Sequence, residues 1–507
     1  MKMFEHLRDL KRLSADEGGA VLVWVSAMIF VIFAFVGLAI DGARLYNLNS
    51  NLQEIADAAA LAGAKELNGA EDALERATSA AVTFLQNEPT WSDRDVADEY
   101  QIAATGADAP QFFTIGTAGA LVPTTDPKKA SHIRVTTISR AISTTYTAVL
   151  DGDSTASTRA TALAKVSYSI CQPIQSFLCN PFESEQGTPG AATNWATAGN
   201  VERGEMFLLA EGSAGAEGSW SFVDPGGSTP TALRNFWAAK APSSCVAVEV
   251  SDATSNVRTG NVGQHAQPGM NTRFGVSVSG LIAEAAPIVI DGYKTSSTSC
   301  SNTQRAFPAA GSNRLIQNGE PGANYRAFCS NPANRNVHSC PLPRDRAWNT
   351  SGQAWATLKK GDGPDLDDLK AYWYNQHGST TFPEGATTRF DLYKAEVAAL
   401  TDRPPGFSWS TAENHTANCS ATPNGDISRR LINVAIVDCE YWSINGASDP
   451  LPIITRTAQF FMTEPATASY NGVNKPSDQG RIYAEYVATY EVNEEGGSVY
   501  QLVQLVK

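Results

Sequence analysis

Residues Ala20–Ile40 read AVLVWVSAMIFVIFAFVGLAI, with no charge and no proline. At about 1.5 Å rise per residue, such a run spans the roughly 30 Å hydrocarbon core of a bilayer. A cleaved secretory signal has a shorter apolar core, about 7–15 residues, and a small-x-small cleavage site. Here the run is longer and leads into Asp41-Gly42-Ala43-Arg44. It predicts an uncleaved membrane-spanning helix with its ends at Ala20 and Ile40. A buried helix of a soluble core is the competing reading, but such helices rarely run so far without a polar stripe.

The helical pattern continues past the apolar run. Leu45, Leu48, Leu52, Ile55, Ala59 and Ala62 fall at 3-4-3-4-3 spacing, the seam of a heptad pattern. Asn68-Gly69 is the stop signal. Gly42 and Gly63 weaken the helix by about 1 kcal/mol each and are candidate kinks. A narrow apolar stripe on the outer half of this rod needs a partner, either the chain's own later domain or another copy of the chain.

Charge sets an expected orientation. Lys2, Arg8, Lys11 and Arg12 precede the span, while Arg44 is the one basic residue in the next stretch beyond it. Basic residues stay on the cytoplasmic side, so residues 1–19 are expected inside and the bulk of the chain outside. The net charge of −14 argues against nucleic-acid binding. All eight cysteines, Cys171, Cys179, Cys245, Cys300, Cys329, Cys340, Cys419 and Cys439, lie beyond the span. An even number there suits disulfides in an oxidising compartment. Nearest-neighbour pairing (Cys171–Cys179, Cys245–Cys300, Cys329–Cys340, Cys419–Cys439) is the simplest of roughly a hundred connectivities. No CxxC pair is present and the histidines are scattered, so no metal site and no cofactor are expected.

Further along, Glu71–Gln86 reads as a short helix with Leu74, Ala77, Ala81 and Leu85 on one face. The period then changes to two. Ile133–Ile138, Tyr146–Leu150 and Ala160–Tyr168 read as strands, with a turn at Asp151-Gly152-Asp153. Residues 41–170 thus read as the rod's continuation plus a small antiparallel sheet.

The segments Glu17-Gly18-Gly19-Ala20, Gly37–Tyr46 (GLAIDGARLY) and Leu52–Ala64 (LQEIADAAALAGA) resemble the TadE/TadG-like family of Flp (Tad) pilus assembly. Cys179-Asn180-Pro181-Phe182-Glu183, Asn271-Thr272-Arg273-Phe274 and Arg429–Cys439 (RRLINVAIVDC) are similar to the longer TadG-type members. The resemblance implies a single-pass bacterial inner-membrane protein with a pilin-like rod and a periplasmic body. Its implied partners are Tad/Flp assembly proteins and pilins. Two departures stand out. Gly18 and Gly19 are followed five positions on by Val23 and Trp24, not Glu, so no prepilin-peptidase cleavage is expected. The D-x-S-x-S motif of a von Willebrand type A domain, found in some relatives, is missed by both Asp151–Thr155 and Asp252–Asn256.

Residues 171–507 read as β-rich and disulfide-braced. Phe207-Leu208-Leu209, Val246–Val250 and Ile288-Val289-Ile290 are short strand signals among Gly, Ser, Asn and Pro. Asn271–Phe274 and Thr387-Thr388-Arg389-Phe390 echo one another. Asp362-Gly363-Pro364-Asp365-Leu366-Asp367-Asp368 reads as a solvated helix start rather than a calcium loop, and Tyr372-Trp373-Tyr374 as a half-buried ridge. Leu431–Glu440, Ile453–Met462, Arg481–Val492 and Ser498–Val506 read as one antiparallel sheet holding the end of the chain. There is no G-x-S-x-G, H-E-x-x-H or Walker loop, and none of the six histidines has a nucleophile with a local signature. The expected class is α+β: a long amino-terminal transmembrane helix, then antiparallel β-rich exported domains. The expected function is a membrane-anchored, non-enzymatic part of Flp pilus assembly. A surface adhesin binding glycan or matrix, and an exported hydrolase, are the alternatives.

Overall fold

The structure is a computed structural model. It describes residues 17–83, 102–116, 119–144, 155–170, 174–183, 195, 200–209, 218–223, 229–239, 246–249, 257–258, 263–274, 286, 293–295, 303–305, 316–317, 320–321, 325–335, 340, 342–348, 358–399, 402, 426–444, 456–464, 466, 469–470, 473–474, 482–494 and 499–506. The expected strand Tyr146–Leu150, the turn at Asp151–Asp153, Ile288–Ile290, the partial D-x-S-x-S matches apart from Thr155, and Cys171, Cys245, Cys300 and Cys419 lie outside these residues. The chain divides into two compact units. One comprises residues 1–67, 73–166 and 503–507, and the other residues 68–72 and 167–502.

The first unit is built on one helix, α1 (Glu17–Lys65), which continues through both Gly42 and Gly63. It stops where the sequence signals: Gly69 takes φ +78°, and Asn68 Oδ1 accepts from Ala70 N at 3.1 Å. A second helix, α2 (Ala73–Thr83), returns against it with Ala73, Ala77 and Ala81 buried. The sheet contains β1 (Gln111–Ile115), β2 (Leu121–Pro123), β3 (His132–Thr136) and β6 (Thr161–Ile170) in the antiparallel order β2-β1-β3-β6. A separate hairpin joins β4 (Arg140–Ser143) to β5 (Thr155–Thr158).

Helix α1 packs on α2 and β3. At their meeting point stands Gly63. A Cβ built there would lie 2.6 Å from Ile133 Cδ1 and 3.0 Å from the Ala77 carbonyl. The small residue lets three elements approach closely.

The second unit is organised on an eight-stranded sheet. Its strands are β7 (Ile174–Cys179), β8 (Met206–Leu209), β9 (Trp220–Val223), β11 (Val257–Arg258), β12 (Lys359–Lys360), β13 (Leu431–Val437), β14 (Arg456–Met462) and β15 (Ile482–Glu491). Their order is β11-β9-β7-β13-β14-β15-β8-β12. Strand β10 (Val246–Glu249) pairs instead with Ser167–Ile170 of β6. All pairs in the eight-stranded sheet are antiparallel except β7 with β13, where Val437 lies beside Cys179.

Side chains alternate across this sheet. Ile432, Val434, Ile436, Ala458, Phe460 and Met462 meet Leu233 and Trp237 of α3 (Pro230–Ala238) and Ala266 and Met270 of α4 (Gly263–Thr272). On the opposite face Phe461 meets Leu369, Tyr372 and Trp373 of α6 (Leu366–His377) and Leu392 and Tyr393 of α7 (Arg389–Ala399). Burial on both faces explains why β13 reads as the nearly continuous apolar run LINVAIV. The short helix α5 (Tyr325–Cys329) packs beside α6.

Three expectations need correction. The carboxy-terminal strands do not make a sheet of their own, because β13, β14 and β15 share theirs with strands drawn from residues 174–360. The last strand, β16 (Val499–Leu505), leaves that sheet and pairs with β6. Its departure has a physical reason: β15 is already hydrogen-bonded to β14 on one side and β8 on the other. Nearest-neighbour disulfide pairing fails for two pairs. Cys179 bonds Cys439, across 260 positions, which excludes both Cys171–Cys179 and Cys419–Cys439. Cys329 bonds Cys340.

Candidate functional site

The two halves of α1 meet different surroundings. Val21–Ile40 exposes its large apolar side chains, with Trp24 and Phe30 each 71% accessible. Among the described residues this is the one helix long and apolar enough to cross a membrane. Its lone polar side chain, Ser26, turns its hydroxyl back to the Leu22 carbonyl at 2.8 Å, a bond that costs nothing in lipid.

The second half is covered. Leu48, Leu52, Ile55 and Ala59 of the sequence-derived seam are buried, and Leu45 and Ala62 are half-buried. Ala56, Ala60 and Ala64 join them and widen the stripe. Polar neighbours tie the rod to the β4–β5 hairpin and to the sheet: Asn49 Oδ1 accepts from Thr158 Oγ1 at 3.0 Å, and Gln53 Nε2 donates to the Thr161 carbonyl at 3.4 Å. Leu48, Leu52, Ile55 and Ala59 are thus covered within this chain.

In the second unit the motif residues converge around β13. Arg273 is buried and donates to the carbonyls of Trp237 (3.1 Å) and Leu431 (3.0 Å) and to Gln175 Oε1 (2.7 Å). Arg429 donates to the carbonyls of Ala238 and Ala239, and Gln175 to that of Phe236. The final carbonyls of α3, acceptors that a helix end leaves open, are thereby capped by two arginines, whose charge suits a helix carboxy terminus, and by the neutral amide of Gln175. Burial, with the Arg429 charge beside it, lowers the Arg273 pKa to about 9. Arg430 stacks 4.1 Å from the Phe274 ring centroid and 5.0 Å from those of Tyr393 and Phe461, while donating to the Met462 and Thr463 carbonyls.

The echoing motif Thr387–Phe390 uses its arginine differently. Arg389 opens α7 and pairs with Asp345 and with Glu485 at 3.0 Å. Glu485 also accepts from the backbone N–H groups of Arg389 and Phe390, both at 2.8 Å, which places a carboxylate at a helix amino terminus. Burial works against the Arg389 charge, but Asp345 and Glu485 outweigh it and raise its pKa. Asp345 further accepts from Met206 N and Gly363 N. A second buried pair, Arg344 with Glu464, lies with its guanidinium 3.4 Å from the Tyr483 ring centroid.

Around the Cys179–Cys439 bond, Asn180 N donates to the Val437 carbonyl and Asn180 Nδ2 to Asp438 Oδ1, each at 2.8 Å. Glu183 accepts from Glu440 N and Tyr441 N at 3.1 and 2.7 Å. Burial raises the Glu183 pKa to about 7 despite those two donors.

Each of these groups has partners among the described residues. His377 Nε2 lies 2.8 Å from Glu396 Oε1, and that oxygen also accepts from Tyr372 Oη; all three residues are buried. Among the described residues no group of three or more His, Cys, Asp or Glu could hold a metal ion. The Asp362–Asp368 cluster is not merely solvated. Asp365 caps α6, and Asp365 and Asp368 bind Arg326 and Arg346. The sequence reading missed Asp345 and the Arg344–Glu464 pair, since single carboxylates carry no local pattern.

Residues 18–66 match the family described as putative Flp pilus-assembly TadE/G-like. The chain carries a TadE/G-like segment. That segment coincides almost end to end with α1 and so includes both its exposed apolar half and its packed half. No curated protein and no solved structure matches the chain. The TadE/G-like match points to a role in Flp pilus assembly.

Proposed function

We propose that this protein is a single-pass, non-enzymatic component of Flp/Tad pilus assembly, held in the bacterial inner membrane by Ala20–Ile40. The observation that carries the reading is the coincidence of the TadE/G-like match with a helix whose first half is bare and apolar and whose second half is built into a folded unit. A helix so divided fixes a domain at a set distance from a bilayer. Lys2, Arg8, Lys11 and Arg12 ahead of the span favour a cytoplasmic amino terminus. The disulfides among the described residues, both beyond it, favour a periplasmic body.

In this reading the mechanism is positional. The span holds the protein at the membrane, α1 passes its orientation to the first unit, and the disulfide-bonded second unit presents contacts to assembly proteins or pilins. The test is affinity purification of the tagged full-length protein from membranes of a piliated strain, paired with electron microscopy of the deletion strain. Co-purifying Tad components and loss of Flp pili are expected. Wild-type piliation in the deletion strain, with none of those components recovered, would contradict the reading.

A further inference from the structure

The Cys179–Cys439 bond poses a problem of order. It closes across 260 positions, and Cys245, Cys300, Cys329, Cys340 and Cys419 lie between its ends. A chain exported amino terminus first delivers Cys171 and Cys179 together, long before Cys439. At about 5–20 residues per second, Cys439 follows roughly 10–50 s later. Loops of about ten residues close in roughly 10–100 ns. Cys171, eight positions away, is thus the first thiol that Cys179 meets. Its final partner belongs to another strand, since β7 and β13 become parallel neighbours only when the second unit assembles.

We propose that Cys179–Cys439 is installed by thiol–disulfide exchange, which makes a disulfide isomerase of the exported compartment a required folding partner. This rests on the reading that the second unit is exported. The steps balance. A disulfide-donating oxidase of that compartment takes two electrons and two protons from Cys171 and Cys179, closing the early bond. The isomerase thiolate attacks Cys179 Sγ and releases the Cys171 thiolate. The Cys439 thiolate then attacks Cys179 Sγ in the mixed disulfide and releases the isomerase thiolate. Exchange consumes no electrons, and one proton passes from Cys439 to Cys171.

The exchange goes forward because the native bond has an environment the early one lacks. Asn180 bonds Val437 and Asp438, and Glu183 holds the backbone at 440–441. Both sulfurs end in buried residues, with Cys179 0% and Cys439 1% exposed, out of reach of further attack. Cys329–Cys340 is the internal control, because its ends are consecutive cysteines 11 positions apart and can close directly as they emerge.

The full-length protein is produced in an export-competent bacterium with and without its periplasmic disulfide isomerase. Thiols are trapped with iodoacetamide, and unreduced digests are read by mass spectrometry for linked peptides. Without the isomerase, the Cys179–Cys439 peptide is expected to fall several-fold and Cys171–Cys179 to appear, while Cys329–Cys340 is unchanged. Cys171→Ser, which removes the early competitor, is expected to restore Cys179–Cys439 in the isomerase-free strain. Equal Cys179–Cys439 yield in both strains would overturn the proposal while leaving export intact. A parallel fall of Cys329–Cys340 would also overturn it. Alkylation of Cys179, Cys439, Cys329 and Cys340 in both strains would instead show that the unit is not exported, and would remove the proposal with that reading.

Discussion

Arg389 Nη1 donates to Glu485 Oε2 at 3.0 Å, and both side chains are 1% exposed. The same guanidinium reaches Asp345 and the Gly204 and Pro343 carbonyls, so one side chain joins residues from four distant parts of the sequence. Arg389→Met leaves two buried carboxylates without their cation and should destabilise the second unit by about 3–5 kcal/mol. The double variant R389M/E485Q should cost less than the sum of the two single changes, since each partner's removal relieves the other. Denaturation midpoints of the oxidised full-length protein in detergent check both.

Glu183 should give the protein a pH-dependent stability term. Its carboxyl binds a proton more tightly when folded, near pH 7, than at its ordinary value of 4.5. The folded state therefore gains from this group as pH falls. The contribution is fully present below about pH 4.5 and is lost as pH rises through about 7. Glu183→Gln should flatten that part of the curve of melting temperature against pH.

Two glycines of α1 should respond in opposite directions. A Cβ at Gly63 meets Ile133 Cδ1 and the Ala77 carbonyl, whereas one at Gly42 meets nothing within 4 Å. Gly63→Ala should cost about 1–3 kcal/mol by overpacking. Gly42→Ala should gain up to about 1 kcal/mol from helix propensity alone. Thermal midpoints of the two variants, measured side by side, separate packing from propensity.

Ending the chain at Glu495 should leave an edge of β6 unpaired. In the intact protein Val506 N donates to the Leu163 carbonyl at 2.8 Å, and β16 pairs along β6. An unpaired edge is a template for aggregation. Light scattering of the truncated protein in detergent should show association that the full chain does not.

How far the sequence could be read depended on the range of the interaction. The long apolar helix was legible from its uncharged run, and the seam because a helix repeats its burial every three or four residues, as Leu48, Leu52, Ile55 and Ala59 do openly. Strands β3, β6, β13, β14 and β15 were legible from β-branched and aromatic runs. Their neighbours were not. Nothing near Ile174–Cys179 says that it pairs with residues 431–437, and the choice of Cys439 by Cys179 follows from that pairing. The Arg273 and Arg389 motifs were visible as an echo, but their chemistry lies in distant carbonyls and carboxylates: the end of α3 for one, Asp345 and Glu485 for the other. The site of β16 was hidden for the same reason, since it depends on which edges other strands had already filled.

The central claim is that α1 anchors a large folded body on the outer side of a membrane. Spheroplasts carrying the full-length protein with an amino-terminal epitope, treated with protease from outside and then extracted with alkaline carbonate, test it directly. The expected result is loss of the body and retention of a short epitope-bearing fragment in the membrane pellet. An intact protein after protease, or epitope released into the carbonate supernatant, would contradict it.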